Sequence, residues 1–377
     1  MSVLFRAVVA QLVEHFHGKE KVASSILANG SISMHKVFLK KSILLAFLFC
    51  VIVGAFYVFF QDKNIERYEK EIILKKEETT PVLFVGDIML GRYVETLMGK
   101  NGEAYPFEYI SDFLKKHTTV ANLEGPIPDV HKPTPIQGYS FSFPTSTVRI
   151  LKERGIQAVS LANNHSLDQG SAGFVATQRN LRSGGIHYFG AHDTTYNDYF
   201  ETFVGTTSVV VYGVNMISNS WDEEKAMIVT QKLQRDHPES LLVAYIHWGN
   251  EYDHAQGQAQ RRLAHALIDS GADSIVGMHP HVVQGIETYK EGIIFYSLGN
   301  FIFDQYFSKQ VQESYGVALN VSGGNIEYTL TPFISNRSQV SLATSTQAES
   351  IMQTISTHSS SDIKTDVLSR KIVMKAR

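Results

Sequence analysis

The sequence of 377 residues has almost no cysteine and almost no charge imbalance. Its single cysteine, Cys50, excludes an intramolecular disulfide and any CxxC motif for zinc or redox chemistry. Any bound metal ion must therefore be held by His, Asp, Glu or Asn side chains. The 34 Lys and Arg residues against 37 Asp and Glu residues give a net charge of -3, which argues against the broad positive surface that nucleic acids select.

One long apolar run lies near the N-terminus, at residues 42–60, and reads SILLAFLFCVIVGAFYVFF. About 19 uncharged residues in a helix span roughly 28 Å, which is close to the thickness of a bilayer hydrocarbon core. The run has no polar face and no convincing cleavage site after it, so it predicts an uncleaved transmembrane signal anchor. Lysines flank it on both sides and do not fix its orientation, but long domains translocate largely regardless of charge, and we expect the main domain to be extracytoplasmic.

The rest of the chain divides by composition into four parts. Residues 1–33 resemble a mistranslated transfer-RNA gene end, so the chain is predicted to start either at Met1 or at Met34. Residues 61–80 are highly charged and predict a stalk. Residues 81–335 are predicted to form the main domain, and residues 336–377 a C-terminal helix and tail.

The main domain alternates short apolar runs with amphipathic stretches. SLLVAYIHWG, for example, is typical of a strand, and the following QAQRRLAHALIDSGA is typical of a helix. Near its end, GIIFYSLGNFIFD and the hairpin-like YGVALNVSGGNIEYTLTPF predict strands without intervening helices. The pattern therefore predicts a layered α/β domain whose sheets include antiparallel strands.

Polar side chains follow the predicted strands at the points where they end. They are Asp87, Glu124, Asn163 and Asn164 with His165, His247, and His279 with His281. Because the carboxyl ends of strands in open α/β sheets line a shared crevice, we expect these residues to converge. Two histidines at i and i+2 of an extended strand point to opposite sides, so either a turn at Pro280 brings both into the crevice or each binds a different ion.

A set of several histidines and carboxylates indicates a dinuclear metal centre. Imidazole and carboxylate ligands suit Zn, Mn, Fe or Ni and are a poor set for Ca. Two such ions can activate water and hold a phosphate oxygen during in-line attack. His165 could then serve as the general acid for the leaving group.

Six sequence blocks in register carry a family resemblance across roughly residues 81–332. The blocks FVGDIMLGR, VANLEGPI, SLANNHSLDQG, VAYIHWGNEY, GMHPHVVQGIE and FYSLGNFIFDQ resemble the CapA family of capsule and poly-γ-glutamate synthesis proteins, a branch of the calcineurin-like metallophosphoesterase superfamily. The resemblance implies a four-layer α/β/β/α sandwich. It also implies two divalent ions, with Mn, Zn or Fe expected.

The resemblance implies a role for each polar residue at the strand ends. Asp87 and His281 would hold the first ion, Glu124 would bridge, His165 would be catalytic, and the second ion would be held by Asn164, His247 and His279. Two positions depart from the superfamily pattern, because Met89 replaces a histidine ligand and Glu124 replaces an aspartate. A thioether is a poor substitute for imidazole on such ions, so one ion is expected to be weak or absent.

Other polar residues near the predicted strand ends have less certain roles. Arg92 is predicted to bind an anionic group of the substrate by a bidentate contact, with an ordinary surface arginine as the alternative. Asn300 and Asp304 stay outside the ligand set, although either could touch substrate. Three further histidines are interpreted as structural: His192, His254 and His265.

Two functional hypotheses follow. The first is a membrane-anchored, metal-dependent hydrolase or transferase that acts on an anionic polymer, such as poly-γ-glutamate, or on its phosphorylated precursor. The alternative is a non-catalytic subunit that binds polymer within a synthesis and export complex. The resemblance implies a membrane ligase and small export subunits as partners in both cases.

Overall fold

The computed structural model describes residues 79–192 and 198–376. The strands are β1 Val82–Ile88, β2 Thr118–Leu123, β3 Ile156–Ser160, β4 His187–Phe189, β5 Tyr199–Val204, β6 Thr207–Asn215, β7 Leu241–His247, β8 Ser274–Met278, β9 Ile286–Tyr289, β10 Gly292–Phe295, β11 Asn300–Ile302, β12 Glu313–Ser322, β13 Asn325–Asn336, β14 Gln339–Leu342 and β15 Lys371–Lys375. The helices are α1 Arg92–Asn101, α2 Ser111–Leu114, α3 Ser146–Arg154, α4 Gly170–Gly184, α5 Glu223–Asp236, α6 Gln258–Asp269, α7 Ser345–His358 and α8 Lys364–Ser369.

The predicted N-terminal leader and membrane segment at residues 42–60 lie outside the described residues, as does the stalk up to residue 78. Within the part of the chain that is described, no helix is both long enough and apolar enough to cross a bilayer.

The strands form two mixed sheets. Sheet 1 has the order β14-β13-β12-β1-β2-β3-β4, with β11 also paired to β1 and β15 to β13. Sheet 2 has the order β5-β6-β7-β8-β10-β9. The centre of each sheet is parallel, with β1, β2, β3 and β4 in sheet 1 and β6, β7, β8 and β10 in sheet 2. Antiparallel strands flank these parallel centres, as the helix-free strands of the sequence predict.

Side-chain alternation along the strands places the core between the sheets and helices on both outer faces. In β1, Phe84 joins the cluster shared with sheet 2, whereas Leu83 joins a cluster with α1, α3 and α4. In sheet 2, Val243 faces the shared cluster, whereas Leu242 packs with α5 and α6. Because consecutive residues of a strand point to opposite faces, such fully apolar strands are buried on both sides. The fold is therefore a mixed α/β arrangement of two sheets with helices packed on them.

The C-terminal residues belong to the same core. Ile351, Met352 and Ile355 of α7 are buried in the cluster between the sheets. Strand β15 pairs with β13 and extends sheet 1 at its edge. The segment that the sequence predicts as a helix and tail thus contributes two helices and two strands to the fold.

Close approach of two backbones positions the end of β1. A Cβ atom on Gly86 would lie 1.8 Å from the carbonyl oxygen of Gly299, so only glycine fits at this position. The next residue, Asp87, donates its backbone N–H to the same oxygen at 3.3 Å. This contact fixes Asp87 at the edge where the two sheets meet.

Candidate metal centre

The polar residues predicted at strand ends come from both sheets. Sheet 1 contributes Asp87 near the end of β1 and Glu124 directly after β2. Sheet 2 contributes His247, the last residue of β7, and His279, the first residue after β8. The carboxyl ends of the parallel strands thus supply carboxylates from one sheet and imidazoles from the other.

Five buried side chains form what we call the Glu124 cluster: Asp87, Glu124, His247, His279 and His281. Ligand atoms of Asp87, Glu124 and His281 lie within 4.8 Å of one another, and so do those of Glu124, His247 and His279. Glu124 is common to both sets, as a carboxylate between two ions would be. The cluster could hold a metal ion.

Direct contacts tie the carboxylates to the histidines. Nδ1 of His281 lies 3.4 Å from Oδ2 of Asp87, and its Nε2 lies 3.8 Å from Oε1 of Glu124. The backbone N–H of His279 donates to Oδ2 of Asp87 at 3.3 Å. The rings of His247 and His279 have centroids 4.5 Å apart.

An unusual backbone brings both histidines of the HPH segment into the crevice. His279 has a φ of 91° and His281 a φ of 59°, so both adopt the left-handed region that non-glycine residues rarely occupy. Arg92 and Tyr252 beside the cluster also have positive φ angles, of 50° and 67°. Such conformations cost free energy and persist where the surrounding structure imposes them, often at functional sites. The turn at Pro280 replaces the extended geometry that would separate the two imidazoles.

Unpaired polar atoms in the cluster fit a metal ion. Both carboxylate oxygens of Glu124 are buried and have no hydrogen-bond partner, and the same holds for Nδ1 of His279. A buried carboxylate without a donor is costly unless a cation compensates it. The imidazole and carboxylate donors of the cluster are those that Zn, Mn and Fe accept. The residues present therefore fit a divalent metal.

The protonation of two histidines of the cluster suits metal binding, whereas Glu124 and His281 would each release a proton when an ion binds. Burial, reinforced by the Asp87 carboxylate, raises the pKa of Glu124 well above its usual range. Burial and the neighbouring imidazoles lower the pKa of His247 well below its usual range and that of His279 to about 4. Burial also lowers the pKa of His281, but Glu124 and Asp87 outweigh this and raise it to about 9. His247 and His279 are thus neutral near pH 7, with lone pairs available to an ion.

Asn164 and His165 approach the cluster from the segment after β3. Oδ1 of Asn164 lies 2.9 Å from Nε2 of His247, although Asn164 itself is exposed. His165 places its Nε2 3.8 Å from Oε1 of Glu124. Its Nδ1 lies 2.8 Å from Oδ2 of Asp168, and its ring stacks on Phe141 with centroids 4.1 Å apart. Asp168 and Phe141 therefore orient the His165 ring toward the cluster.

Arg92 lies at the rim of the cluster at the start of α1. Its guanidinium pairs with Asp304, and it lies 5.1 Å from the centroid of Phe141 and 5.4 Å from that of Phe303. Its side chain is 10% exposed, and its Nε has no partner. Arg92 is thus a largely buried cation, not an ordinary surface arginine.

Met89 does not face the cluster. It is fully buried in the apolar layer between sheet 1 and its helices. Its sulfur accepts the backbone N–H of Gly91 at 3.1 Å. The thioether therefore stabilises the turn into α1, and the side chain of Met89 does not contribute to the cluster.

The sequence did not predict that three amides of the site would be hydrogen-bond partners of the candidate ligands. Nδ2 of Asn122 donates to Oδ1 of Asp87 at 2.7 Å, and Nδ2 of Asn163 donates to Oδ1 of Asn122 at 3.0 Å. Nδ1 of His281 lies 2.9 Å from Oδ1 of Asn300. These amides hold the candidate ligands in place by hydrogen bonds, as outer partners of metal ligands commonly do. Their signal in the sequence was their place in the strand-end blocks VANLEG, LANNH and SLGNF.

Comparison with known proteins identifies the family of this chain. The family model described as bacterial capsule synthesis protein PGA_cap matches residues 81–305, more than half of the chain. The chain belongs to this family. All candidate residues of the Glu124 cluster lie within the matched range, and so do His165 and Arg92.

Two relatives of this PGA_cap protein carry the name CapA. It is 34% identical over 252 residues to the capsule biosynthesis protein CapA of Bacillus anthracis, covering 61% of each chain. It is 32% identical over 251 residues to the PGA biosynthesis protein CapA of Bacillus subtilis strain 168, covering 59% of this chain and 63% of that one. The chain thus spans less than two thirds of the length of these relatives.

Among solved structures, a hypothetical protein from Thermus thermophilus is similar at 16% identity with a TM-score of 0.42, covering 70% of this chain and 98% of that one.

Proposed function

We propose that this protein is a membrane-anchored, CapA-like component of capsule or poly-γ-glutamate synthesis and export, with a metal-dependent, hydrolase-type site at the Glu124 cluster. The observation that carries the proposal is the carboxylate of Glu124, which is fully buried, has no protein donor and is shared by two sets of candidate ligands. The two sheets with helices on their outer faces support a four-layer α/β/β/α sandwich of the metallophosphoesterase type.

The candidate ligands divide into two sites for divalent ions. Asp87, Glu124 and His281 would hold the first, and Glu124, His247 and His279 would hold the second together with Asn164. Mn, Zn or Fe suits these donors. When bound, such ions would supply Lewis-acid polarisation of an ester oxygen and activation of water.

His165 is placed to handle a proton. With Nδ1–H donated to Asp168, the Nε2 atom faces the cluster and can carry the proton that a leaving group requires. Its side chain is 15% exposed, so an incoming substrate can reach it.

Arg92 would attract the anionic group of the substrate. A largely buried guanidinium between two aromatic rings keeps its charge and a fixed orientation. Asp304 pairs with that guanidinium and therefore positions it. An anionic polymer such as poly-γ-glutamate, or a phosphorylated precursor, matches this charge.

The cellular setting is part of the proposal. The apolar segment at residues 42–60 would anchor the chain in the cell membrane as a single span, with the main domain extracytoplasmic. A membrane ligase and small export subunits would be its partners. The names of the CapA relatives support a role in making capsule or poly-γ-glutamate.

A non-catalytic, polymer-binding subunit is the second candidate. The orientation of Met89 favours it, because position 89 offers no ligand and leaves the first ion with three. A weakly held first ion would leave a cleft that binds an anionic chain end without cleaving it.

Metal analysis of the full chain, purified in mild detergent, tests the proposal. We expect stoichiometric divalent metal and turnover of a generic aryl phosphate with Mn or Zn. The His165→Ala variant should keep the metal and lose turnover, because His165 lies outside both ligand sets. Metal without turnover supports the polymer-binding subunit, and the absence of metal refutes the metal centre.

A further inference from the structure

A loop after β7 carries a carboxylate over the mouth of the Glu124 cluster. Glu251 is exposed, yet one of its oxygens lies within 4.8 Å of ligand atoms of both His279 and His281. These two histidines belong to the two different sets that share Glu124. Glu251 is thus a third carboxylate beside the cluster; its near neighbours are the two histidines and not Asp87 or Glu124, so its exposed side chain must change rotamer to share an ion with those carboxylates.

Contacts with the histidine turn hold this loop in place. The backbone N–H of Tyr252 donates to the carbonyl oxygen of Pro280 at 2.8 Å, between the two histidines. The hydroxyl of Tyr252 accepts from Nε2 of Gln305 at 3.0 Å. The φ of 67° at Tyr252 turns the chain directly after Glu251. The position of Glu251 is therefore set by the backbone and not by its side-chain torsions alone.

The two candidate ion sites have unequal numbers of ligands. His247, His279, Glu124 and Asn164 offer four groups to one ion. Among the described residues, the other ion has the three ligands Asp87, Glu124 and His281, because the sulfur of Met89 faces the apolar layer. Four protein ligands are usual for a firmly held ion with tetrahedral coordination. The open position lies on the ion that His281 would bind.

We propose that Glu251 supplies the missing ligand to the ion held by Asp87 and His281. The inference rests on the proposed metal centre and names a residue outside the ligand set that the family resemblance implies, at a position that does not end a strand. The carboxylate of Glu251 would take the role that an imidazole at position 89 would have.

The ligand sets then differ in chemistry. Asp87, Glu124 and Glu251 with one imidazole form an oxygen-rich set, which suits harder ions such as Mn²⁺. The second set has two imidazoles and suits Zn²⁺ equally well. Glu251 therefore determines both the affinity and the metal preference of the first site.

Mn²⁺ titration of the full chain tests the inference, with binding followed by calorimetry and by electron paramagnetic resonance. The wild type should bind two Mn²⁺ ions, with a spectrum that shows coupling between neighbouring ions. Glu251→Gln should weaken one of the two sites by at least about tenfold, since even outer partners of ligands contribute that much. The coupled spectrum should disappear at Mn²⁺ concentrations that fill only the stronger site.

Two further variants keep the test decisive. Glu349→Gln changes an equally exposed glutamate on α7 and should match the wild type. Glu251→Asp keeps the charge and should lie between the wild type and Glu251→Gln. An unchanged thermal unfolding curve without metal confirms that each variant is folded.

The failures of the two proposals are distinguishable. A wild type that binds no Mn²⁺ or Zn²⁺ would refute the metal centre itself. A wild type that binds two ions, with Glu251→Gln binding both at the same affinity, would refute the role of Glu251 alone.

Discussion

Two clusters of glutamate and histidine lie at different places in the domain, and they differ in how the carboxylate is satisfied. In the Glu287 cluster (Arg261, His265, Glu287 and Tyr296), the carboxylate accepts from Nε of Arg261 at 3.2 Å and from the hydroxyl of Tyr296 at 2.8 Å. Nε2 of His265 lies 2.8 Å from its other oxygen. His265 also stacks on Tyr289, with ring centroids 3.7 Å apart.

The Glu124 cluster has the same residue types without that compensation. The Glu124 side chain is fully buried and accepts no hydrogen bond, whereas the Glu287 side chain is 13% exposed and has three partners. The Glu287 carboxylate accepts hydrogen bonds from protein donors, whereas the Glu124 carboxylate accepts none, with Nε2 of His165 and of His281 each 3.8 Å from its Oε1. A buried carboxylate that accepts no hydrogen bond, and not the presence of histidines, therefore distinguishes the candidate metal centre.

Removing the ions should have the largest effect on the Tm, because it acts on the Glu124 cluster and not on the Glu287 cluster. Binding at a free metal concentration of about 1,000 times Kd stabilises the native state by about 4 kcal/mol per site. At roughly 2 °C per kcal/mol, EDTA should lower the Tm of the full chain by about 8 °C per site. Calorimetry with EDTA and with excess Mn²⁺ measures the shift, and identical transitions would contradict the metal centre.

Glu124→Gln should have the next largest effect. Loss of the shared carboxylate should weaken metal binding by at least about 100-fold, since loss of an outer partner alone costs roughly 10- to 100-fold. The Tm of the metal-free protein should stay the same or rise, because burial disfavours the charged form of Glu124 and a neutral amide avoids that cost. Calorimetric titration and unfolding curves with EDTA check both parts; a falling metal-free Tm would show that Glu124 has a structural role.

Glu287→Gln should show the opposite pattern and is the matched control. The charge-assisted bonds to Arg261 and Tyr296 should weaken, which lowers the free energy of unfolding by about 1–2 kcal/mol. Metal affinity should be unchanged. Chemical denaturation and metal titration of the same preparation measure the two effects, and any loss of metal would remove the distinction between the clusters.

Asn300→Ala should give the smallest effect on the Glu124 cluster. Asn300 accepts from Nδ1 of His281, so its loss should lower metal affinity by about tenfold through misorientation of that imidazole. Asn336→Ala, at an exposed strand end, is the control and should bind metal like the wild type. Equal affinity in both variants would show that Asn300 does not orient His281.

Much of this architecture was predictable, because a residue at the carboxyl end of a parallel strand lies near the residues at the ends of the neighbouring strands. Asp87, Glu124, His247 and His279 each follow an apolar run, and parallel strands bring such ends together. The helix α7 was also predictable, since Ile351 and its neighbours form an apolar stripe with helical spacing. In each case a local pattern determines which way a side chain points.

The rest depends on contacts between distant segments. Glu251 reaches the cluster only because Tyr252 binds the backbone of Pro280, and no periodicity reports such a contact. The left-handed conformations of His279 and His281 could not be predicted from residue type, because glycine is the residue that usually marks such a conformation and neither position is glycine. His265 and His279 cannot be distinguished by residue type, since only the folded chain shows which carboxylate has donors.

The distances within the Glu124 cluster depend on the lack of a side chain at Gly86, which lets β1 pass close to the carbonyl oxygen of Gly299. An alanine at position 86 would push β1 away from the carbonyl oxygen of Gly299 and shift Asp87 with it. Such a change would leave every ligand in the sequence and still alter the distances between them. A relative that keeps every ligand residue therefore keeps the geometry of the centre only if it also has glycine at the position of Gly86.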